Sequence, residues 1–88
     1  MSLTFPNRSR SYDEAGKRIR FVGHDGMFQI SFSVAADAMA KMRPGTAADE
    51  AGYLQTFDTE SSAIREVASK AYDRTHKSMY VLTAADFG

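Results

Sequence analysis

The sequence contains no cysteine and only two histidines, and these two shortages exclude several kinds of chemistry. Without cysteine the chain cannot form a disulfide, a thiolate metal site or a cysteine nucleophile, and its composition fits a reducing compartment. His24 and His76 lie far apart in the sequence and do not have the spacing of paired metal ligands. We therefore expect the protein to bind no metal and no cofactor.

An excess of one charge sign and long apolar segments are missing as well. The 88 residues include 11 basic and 11 acidic side chains, so the chain lacks the strong positive charge of a dedicated nucleic-acid-binding protein. No segment approaches the ~18 apolar residues that span a membrane, and no apolar run of signal-peptide length lies near the N-terminus. The composition predicts a cytoplasmic protein with no membrane partner, folded as one domain over residues 1–88.

Catalytic motifs are scarce too. No serine lies in a Gly-x-Ser-x-Gly turn, and the carboxylates lack the spacing of a calcium loop or an iron site. His24 and Asp25 are adjacent and could form an acid–base pair, but a catalytic base needs a pocket and an orienting partner. We interpret His24 as a polar hairpin residue and His76 as a charge at the end of a helix. We predict that the chain is not an enzyme.

What the sequence does contain is a β-hairpin between Arg18 and Val34. Asp25-Gly26 separates two runs of alternating apolar and polar residues, which is the pattern of a two-residue type I′ turn. With these residues at the centre of the turn, Phe21 is expected opposite Ile30. One face of the hairpin is then aromatic and aliphatic, and the other is mostly polar and basic. A register slip of one residue would bury the arginines, so the apolar face is expected to pack on the core.

A short strand is expected at each end of the chain. Leu3–Phe5 is predicted as the first strand, and the polar segment Asn7–Lys17 that follows it is predicted as a loop. Ser78–Thr83 is predicted as the last strand. Its inward set stays open between two alternatives, which are Tyr80 with Leu82 and Met79 with Val81.

Helices are expected between the hairpin and the last strand. Ala35–Met42 is rich in helix formers and predicts a short helix, and Thr46–Asp49 resembles a capping box for the next one. A continuous helix over Ala47–Arg74 would be roughly 40 Å long, too long for a domain of this size. It must overhang the sheet, break near Gly52 or Asp58, or pack against a second copy. We favour one long helix that begins near Asp49.

These elements predict an α+β fold with two layers. A small, mostly antiparallel sheet of three or four strands carries a long helix on one face, in the order β-β-β-α-α-β along the chain. The predicted core also includes one face of the last strand. Its other members are Ile19, Phe21, Phe28, Ile30, Phe32, Val34, Leu54, Phe57, Ile64, Val67, Ala68 and Tyr72.

Three segments have a distinctive order along the chain: Phe5–Asp13 (FPNRSRSYD), Ile19–Phe21 followed by the Asp-Gly turn, and Tyr80–Phe87 (YVLTAADF). Together they resemble a bacterial family of unknown function, DUF1488. The resemblance extends over essentially the whole chain. It implies a small α+β domain from a bacterium, and it supplies no activity, cofactor or catalytic residue.

The basic residues of the first third of the chain form the candidate binding surface. Arginine can hold phosphate with two parallel hydrogen bonds, and a tyrosine on the same face could stack on a base of single-stranded nucleic acid. The alternative is a solvent-facing sheet surface whose arginines serve solubility and protect an edge. The candidate residues are Arg8, Arg10, Arg18, Arg20, Ser31 and Tyr80.

Besides a small enzyme, which the lack of a catalytic constellation disfavours, two functions are weighed from the sequence. The first is a non-enzymatic protein-interaction module that can self-associate as a homodimer, because the chain has no catalytic constellation and its helix is too long for the sheet. The second is a weak nucleic-acid or anion binder that uses the arginine surface.

Methionine suits adaptable partner surfaces, but gap filling in the core is its commoner use and is our expectation here. The methionines concerned are Met27, Met39, Met42 and Met79.

Overall fold

A four-stranded sheet organises the structure, and helices connect its third strand to its fourth. The computed structural model describes residues 3–5 and 10–87. The strands are β1 (Arg10–Asp13), β2 (Arg18–Asp25), β3 (Phe28–Ala35) and β4 (Met79–Leu82). The helices are α1 (Ala36–Met42), α2 (Glu50–Thr59) and α3 (Ser61–Thr75), and a 3₁₀ helix spans Ala84–Phe87. The predicted α+β architecture is confirmed.

The sheet is mixed, with the strands in the order β1-β2-β3-β4. The first three strands are antiparallel, while β4 runs parallel to β3 and aligns Tyr80 with Phe32. Parallel neighbours need a long crossover connection, and α1 to α3 provide it. These helices bury their side chains against one side of the sheet, which we call the helix face, and the other side is the open face.

The hairpin of β2 and β3 keeps its predicted faces but turns one residue later than predicted. Phe21 pairs with Phe32 and not with Ile30, so Gly26 and Met27 form the turn. Gly26 has a φ of +61° and Met27 has no positive φ, which is the pattern of a type II′ turn with glycine at its first central position. The predicted type I′ turn is therefore wrong. Compared with the predicted register, each β2 residue pairs with the β3 residue two positions later. Because side chains alternate with a period of two, this shift leaves every side chain on its predicted face.

The core lies between the helix face and the three helices. Most predicted core residues are buried, but Leu54 and Val67 are half-buried at its border. Phe28 was expected inside and is wrong: it is 72% exposed, because it lies at the hairpin end where no described side chain covers it. Among the described residues, the buried apolar side chains that the sequence did not predict are Ala38, Tyr53 and Ala71.

The N-terminal region contributes more strand than its polar sequence predicts. The predicted strand over Leu3–Phe5 is wrong, because only Thr4 forms an antiparallel bridge, with His24, whereas the predicted loop over Asn7–Lys17 contains β1. Only Tyr12 from this strand packs on the core, where its ring centroid lies 5.8 Å from that of Tyr53. An edge strand with one inward apolar side chain has too little alternation to be read from sequence.

The predicted long helix is two helices, and this prediction is wrong. α2 ends at Thr59 and α3 starts at Ser61, close to the alternative break at Asp58. The break keeps both helices over a molecule whose longest extent is 36 Å. α2 is capped by Asp49, whose carboxylate accepts a hydrogen bond from the Gly52 N–H at 2.8 Å, and not by the expected Thr46.

The exposure of the β4 side chains shows which of its two faces points inward. Leu82 is 1% exposed and Tyr80 is half-buried, whereas Met79 and Val81 are 64% and 50% exposed. Tyr80 and Leu82 therefore form the inward set. The chain then turns at Thr83, and the 3₁₀ helix places Phe87 against the core.

Candidate interaction surface

The open face of the sheet is where the sequence placed its binding residues. Because side chains alternate along a strand, Arg18 and Arg20 of β2 lie on this face with Ser31 and Ser33 of β3. Arg20 is aligned with Ser33, and Val22 with Ser31. The predicted grouping of two arginines with Ser31 is thus present on one face.

Arg10 lies on the other face and is already paired. It is aligned with Phe21, so it points toward the helices. Its guanidinium donates two hydrogen bonds to the Asp58 carboxylate of α2, with Nε–Oδ1 at 2.9 Å and Nη2–Oδ2 at 2.8 Å. This bidentate hydrogen bonding raises the pKa of Arg10 above its ordinary value. Arg10 therefore fastens β1 to α2 and does not join the arginines of the open face.

Arg18 lies on the open face but has an intramolecular partner. Its Nε donates to Asp13 Oδ2 at 3.0 Å, and the Gly16 N–H donates to Oδ1 of the same carboxylate at 3.2 Å. The Gly16 hydrogen bond and then that from Arg18 lower the pKa of Asp13. The carboxylate largely offsets the positive charge of Arg18 at this corner. Within the described part of the chain, Arg20 is the open-face arginine that has no ion pair.

Tyr80 lies on the helix face and cannot stack beside the open-face arginines. Its ring is stacked on Phe32, with ring centroids 5.3 Å apart. Its hydroxyl lies 2.7 Å from Thr75 Oγ1 and accepts a hydrogen bond from the Lys77 N–H at 2.7 Å. The expectation that Tyr80 shares a face with Arg18 and Arg20 is therefore wrong.

Arg8, the remaining predicted residue, lies outside the described residues. The six predicted residues therefore do not form one surface, because Arg10 and Tyr80 face the helices. Binding of phosphate or nucleic acid by the open-face arginines stays a prediction.

The adjacent His24 and Asp25 point to opposite faces of β2, so they do not form the acid–base pair considered above. The Asp25 carboxylate instead accepts a hydrogen bond from the Tyr72 hydroxyl at 2.5 Å. This bond, burial and the nearby charge raise the pKa of Tyr72 to about 12. His76, at the C-cap of α3 with a φ of +52°, places its ring edge-on to Tyr72. Asp25 and Tyr72 thus form a contact that ties the hairpin to α3.

Among residues 3–5 and 10–87, four large apolar side chains are exposed, and none of them was predicted to belong to a partner surface. Met27 is 99% and Phe28 is 72% exposed at the hairpin turn, and Met79 and Val81 extend from β4 on the open face. We call Met79 and Val81, with the backbone edge between them, the β4 border. Met39 is buried and Met42 half-buried as expected, whereas the core assignment of Met27 and Met79 is wrong. If the sequence had shown which face of β4 points inward, it would also have identified Met79 and Val81 as exposed.

The described residues offer no sign of a metal centre or a membrane span. Among residues 3–5 and 10–87, no group of three or more His, Cys, Asp or Glu side chains could hold a metal ion. No helix in the same part of the chain is long and apolar enough to cross a membrane.

The fold and its open face define a small two-layer α+β domain with a mixed sheet covered on one side. Residues 3–82 of the 88-residue chain match the family described as "Protein of unknown function (DUF1488)". The chain belongs to this family, as its three motif segments indicated. No curated protein and no solved structure shows significant similarity to it.

Proposed function

We propose that this chain is a non-enzymatic protein-interaction module that binds a protein partner through the β4 border. The observation that carries the proposal is the exposure of Met79 and Val81 side by side at the edge of the open face, which no described helix covers. Exposed apolar patches next to polar surface are typical of protein-binding sites. Polar surface is present here, because the half-buried Ser31 lies beside Met79 on β3.

The side chains that a catalytic role would need are occupied elsewhere or kept apart. Asp25 binds Tyr72, and His24 points to the opposite side of the sheet. Arg10 and Arg18 are held by carboxylates of the same chain. These contacts support a binding role over a chemical one. In keeping with the cysteine-free composition, we place the protein in the cytoplasm.

A photo-crosslinking amino acid tests the proposal in cells of the source organism. Introduced at Met79, it is expected to give adducts of defined mass with a protein partner, which includes a second copy of the chain. Introduced at Lys70, whose side chain is 74% exposed on α3, it serves as the matched control. Adducts at position 79 that are absent at position 70 would support the β4 border. Equal labelling at both positions, or none at position 79, would contradict it.

A further inference from the structure

The free edge of β4 offers unpaired backbone groups at alternate residues. The Ser31 N–H donates to the Ser78 C=O at 2.9 Å, and Ser31 is aligned with Met79. In a parallel pair this geometry turns the N–H and C=O groups of Met79 and Val81 away from β3. Within residues 3–5 and 10–87 none of these four groups has a hydrogen-bond partner. They form a short template for another strand.

The neighbouring positions on this edge are already satisfied within the chain. The Thr83 N–H donates to Asp86 Oδ2 at 2.8 Å, and the Thr83 C=O accepts from the Asp86 N–H at 2.9 Å. At the other end, the Lys77 N–H donates to the Tyr80 hydroxyl. A partner strand must therefore obtain its hydrogen bonds from Met79 and Val81, which fixes its register.

We infer that the β4 border pairs with the β4 border of a second copy of this chain, in antiparallel orientation. The inference rests on the proposed function and names the partner of the same surface. A two-fold axis midway between Tyr80 and the partner's Tyr80 places Met79 opposite the partner's Val81, and Val81 opposite the partner's Met79. The two donors and two acceptors of each copy then bind those of the other. The two sheets join into one.

The charges at the two ends of β4 favour this occupant. A positive side chain, Lys77, lies just before the strand, and Asp86 follows it. Antiparallel pairing brings Lys77 opposite the partner's Thr83, beside the carboxylate that caps it. Each end of the joined edge thus places a cation near an anion, at both sites related by the two-fold axis.

No residue in the described part of the chain pairs with this edge. A shallow groove between α3 and β4, lined in part by Ala71, Thr75 and Leu82, runs beside it. Between Met79 and Leu82 there is no proline and no charged side chain, which are the usual devices that keep a strand edge from pairing. The opposite edge of the sheet differs, because β1 carries Arg10 and Asp13. On the open face the paired edges would bring four apolar side chains together.

Paired variants test the inference by the mass of the full-length chain in solution. The chain is expected to form a dimer by sedimentation or light scattering between about 1 μM and about 1 mM. The first variant, Met79→Lys with Val81→Lys, places like charges opposite each other at both pairs. The second, Met79→Lys with Val81→Glu, removes the same apolar groups but places opposite charges there. We expect the dimer dissociation constant of the first to exceed that of the second by about tenfold or more.

Amide hydrogen exchange identifies the edge without any substitution. In a monomer the Met79 and Val81 amides face solvent and exchange quickly, while those of Tyr80 and Leu82 are bonded to β3. In the proposed dimer all four amides are protected, and the protection of Met79 and Val81 rises with protein concentration. Because this measurement uses the unmodified chain, it stands even if a variant fails to fold.

The outcomes separate this inference from the proposed function. A chain that stays monomeric to about 1 mM, or a dimer in which the Met79 and Val81 amides still exchange quickly, would overturn edge pairing. If the crosslinker at Met79 then labels a different protein, the interaction module stands and its partner is not a second copy. Equal dissociation constants for the two charge variants would contradict the register about Tyr80.

Discussion

The two faces of one sheet differ in what their side chains do. On the helix face, Ile19, Phe32 and Val34 are each at most 1% exposed and pack against three helices. On the open face, neighbouring positions of the same strands carry serine, arginine, valine and methionine, and no described helix covers them. Both faces alternate along the same backbone. Alternate residues of the same strands therefore supply the packed core on one side and a layer that no described helix covers on the other.

Loss of a ring from the helix face is expected to have the largest effect. Phe32→Ala removes a side chain that is 1% exposed and stacked between Phe21 and Tyr80, at centroid distances of 5.2 and 5.3 Å. The free energy of unfolding should fall by about 3–5 kcal/mol, a large share of the 5–15 kcal/mol typical of a domain. Urea unfolding followed by circular dichroism measures the change.

The matched control for that change lies on the open face. Val22→Ala trims a half-buried side chain that points away from the helices, and it should cost less than about 1 kcal/mol. Similar losses for Phe32→Ala and Val22→Ala would break the comparison between the two faces.

Alternation made the faces predictable, but turn geometry lay beyond the sequence. Phe21 and Phe32 were assigned to the core because a period of two places them there in either register. The centre of the turn was not determined, because Asp25-Gly26 and Gly26-Met27 both supply a glycine that accepts positive φ. In the observed register Asp25 pairs with Phe28 and is part of β2. Its carboxylate also accepts a hydrogen bond from Tyr72, which lies 47 residues away along the chain. No local pattern records such a contact.

The candidate site was the least predictable part of the molecule for the same reason. The face of Arg10 depends on the register of β1, whose polar sequence shows only one inward apolar residue, Tyr12. Tyr80 and Val81 are both apolar enough to be buried, and the packing of α3 on β4 decides between them. The sequence shows which residue types are present. Which of them share a surface depends on how distant strands pair, and a local pattern does not show this.

The contact between Asp25 and Tyr72 should make stability depend on alkaline pH. The pKa of Tyr72 is raised from its ordinary value of 10.0 to about 12 in the folded chain, mainly by the hydrogen bond to Asp25. The folded state therefore retains this proton more strongly than the unfolded state does. The stabilisation is complete below pH 10 and is lost as the pH rises through about 12.

Tyr72→Phe isolates this contribution from those of the other titrating groups. The unfolding midpoint of the unmodified chain should fall more steeply between pH 10 and about 12 than that of the variant. Tyrosinate absorbance should also show one of the four tyrosines ionising late, and the variant should lack that step. Parallel pH profiles for the two chains would mean that the hairpin and α3 are not coupled through this proton.

A smaller effect is expected where the loop before α2 presses on that helix. A Cβ added at Gly52 would lie 2.1 Å from the carbonyl oxygen of Ala47, so the backbone must shift. Alanine usually stabilises a helix relative to glycine, but here Gly52→Ala should destabilise the chain by about 1–3 kcal/mol. Gln55→Ala, at an exposed site of α2, should change stability by only a few tenths of a kcal/mol. Stabilisation by Gly52→Ala would show that the loop does not pack as described.

The smallest effect concerns a polar atom buried among the apolar side chains of the helix side. Thr56 of α2 is 0% exposed, and its hydroxyl has no hydrogen-bond partner among the described residues. Valine has nearly the same shape, so Thr56→Val removes the buried polar atom without leaving a cavity. The variant should be as stable as the unmodified chain or more stable by up to about 1 kcal/mol, because an unsatisfied hydroxyl opposes burial. Thr59→Val, at the exposed end of α2, controls for helix propensity and should be close to neutral. If the free energy of unfolding fell by more than about 0.5 kcal/mol for Thr56→Val alone, the hydroxyl would have a hydrogen-bond partner. The helix side would then contain a polar contact within its apolar core.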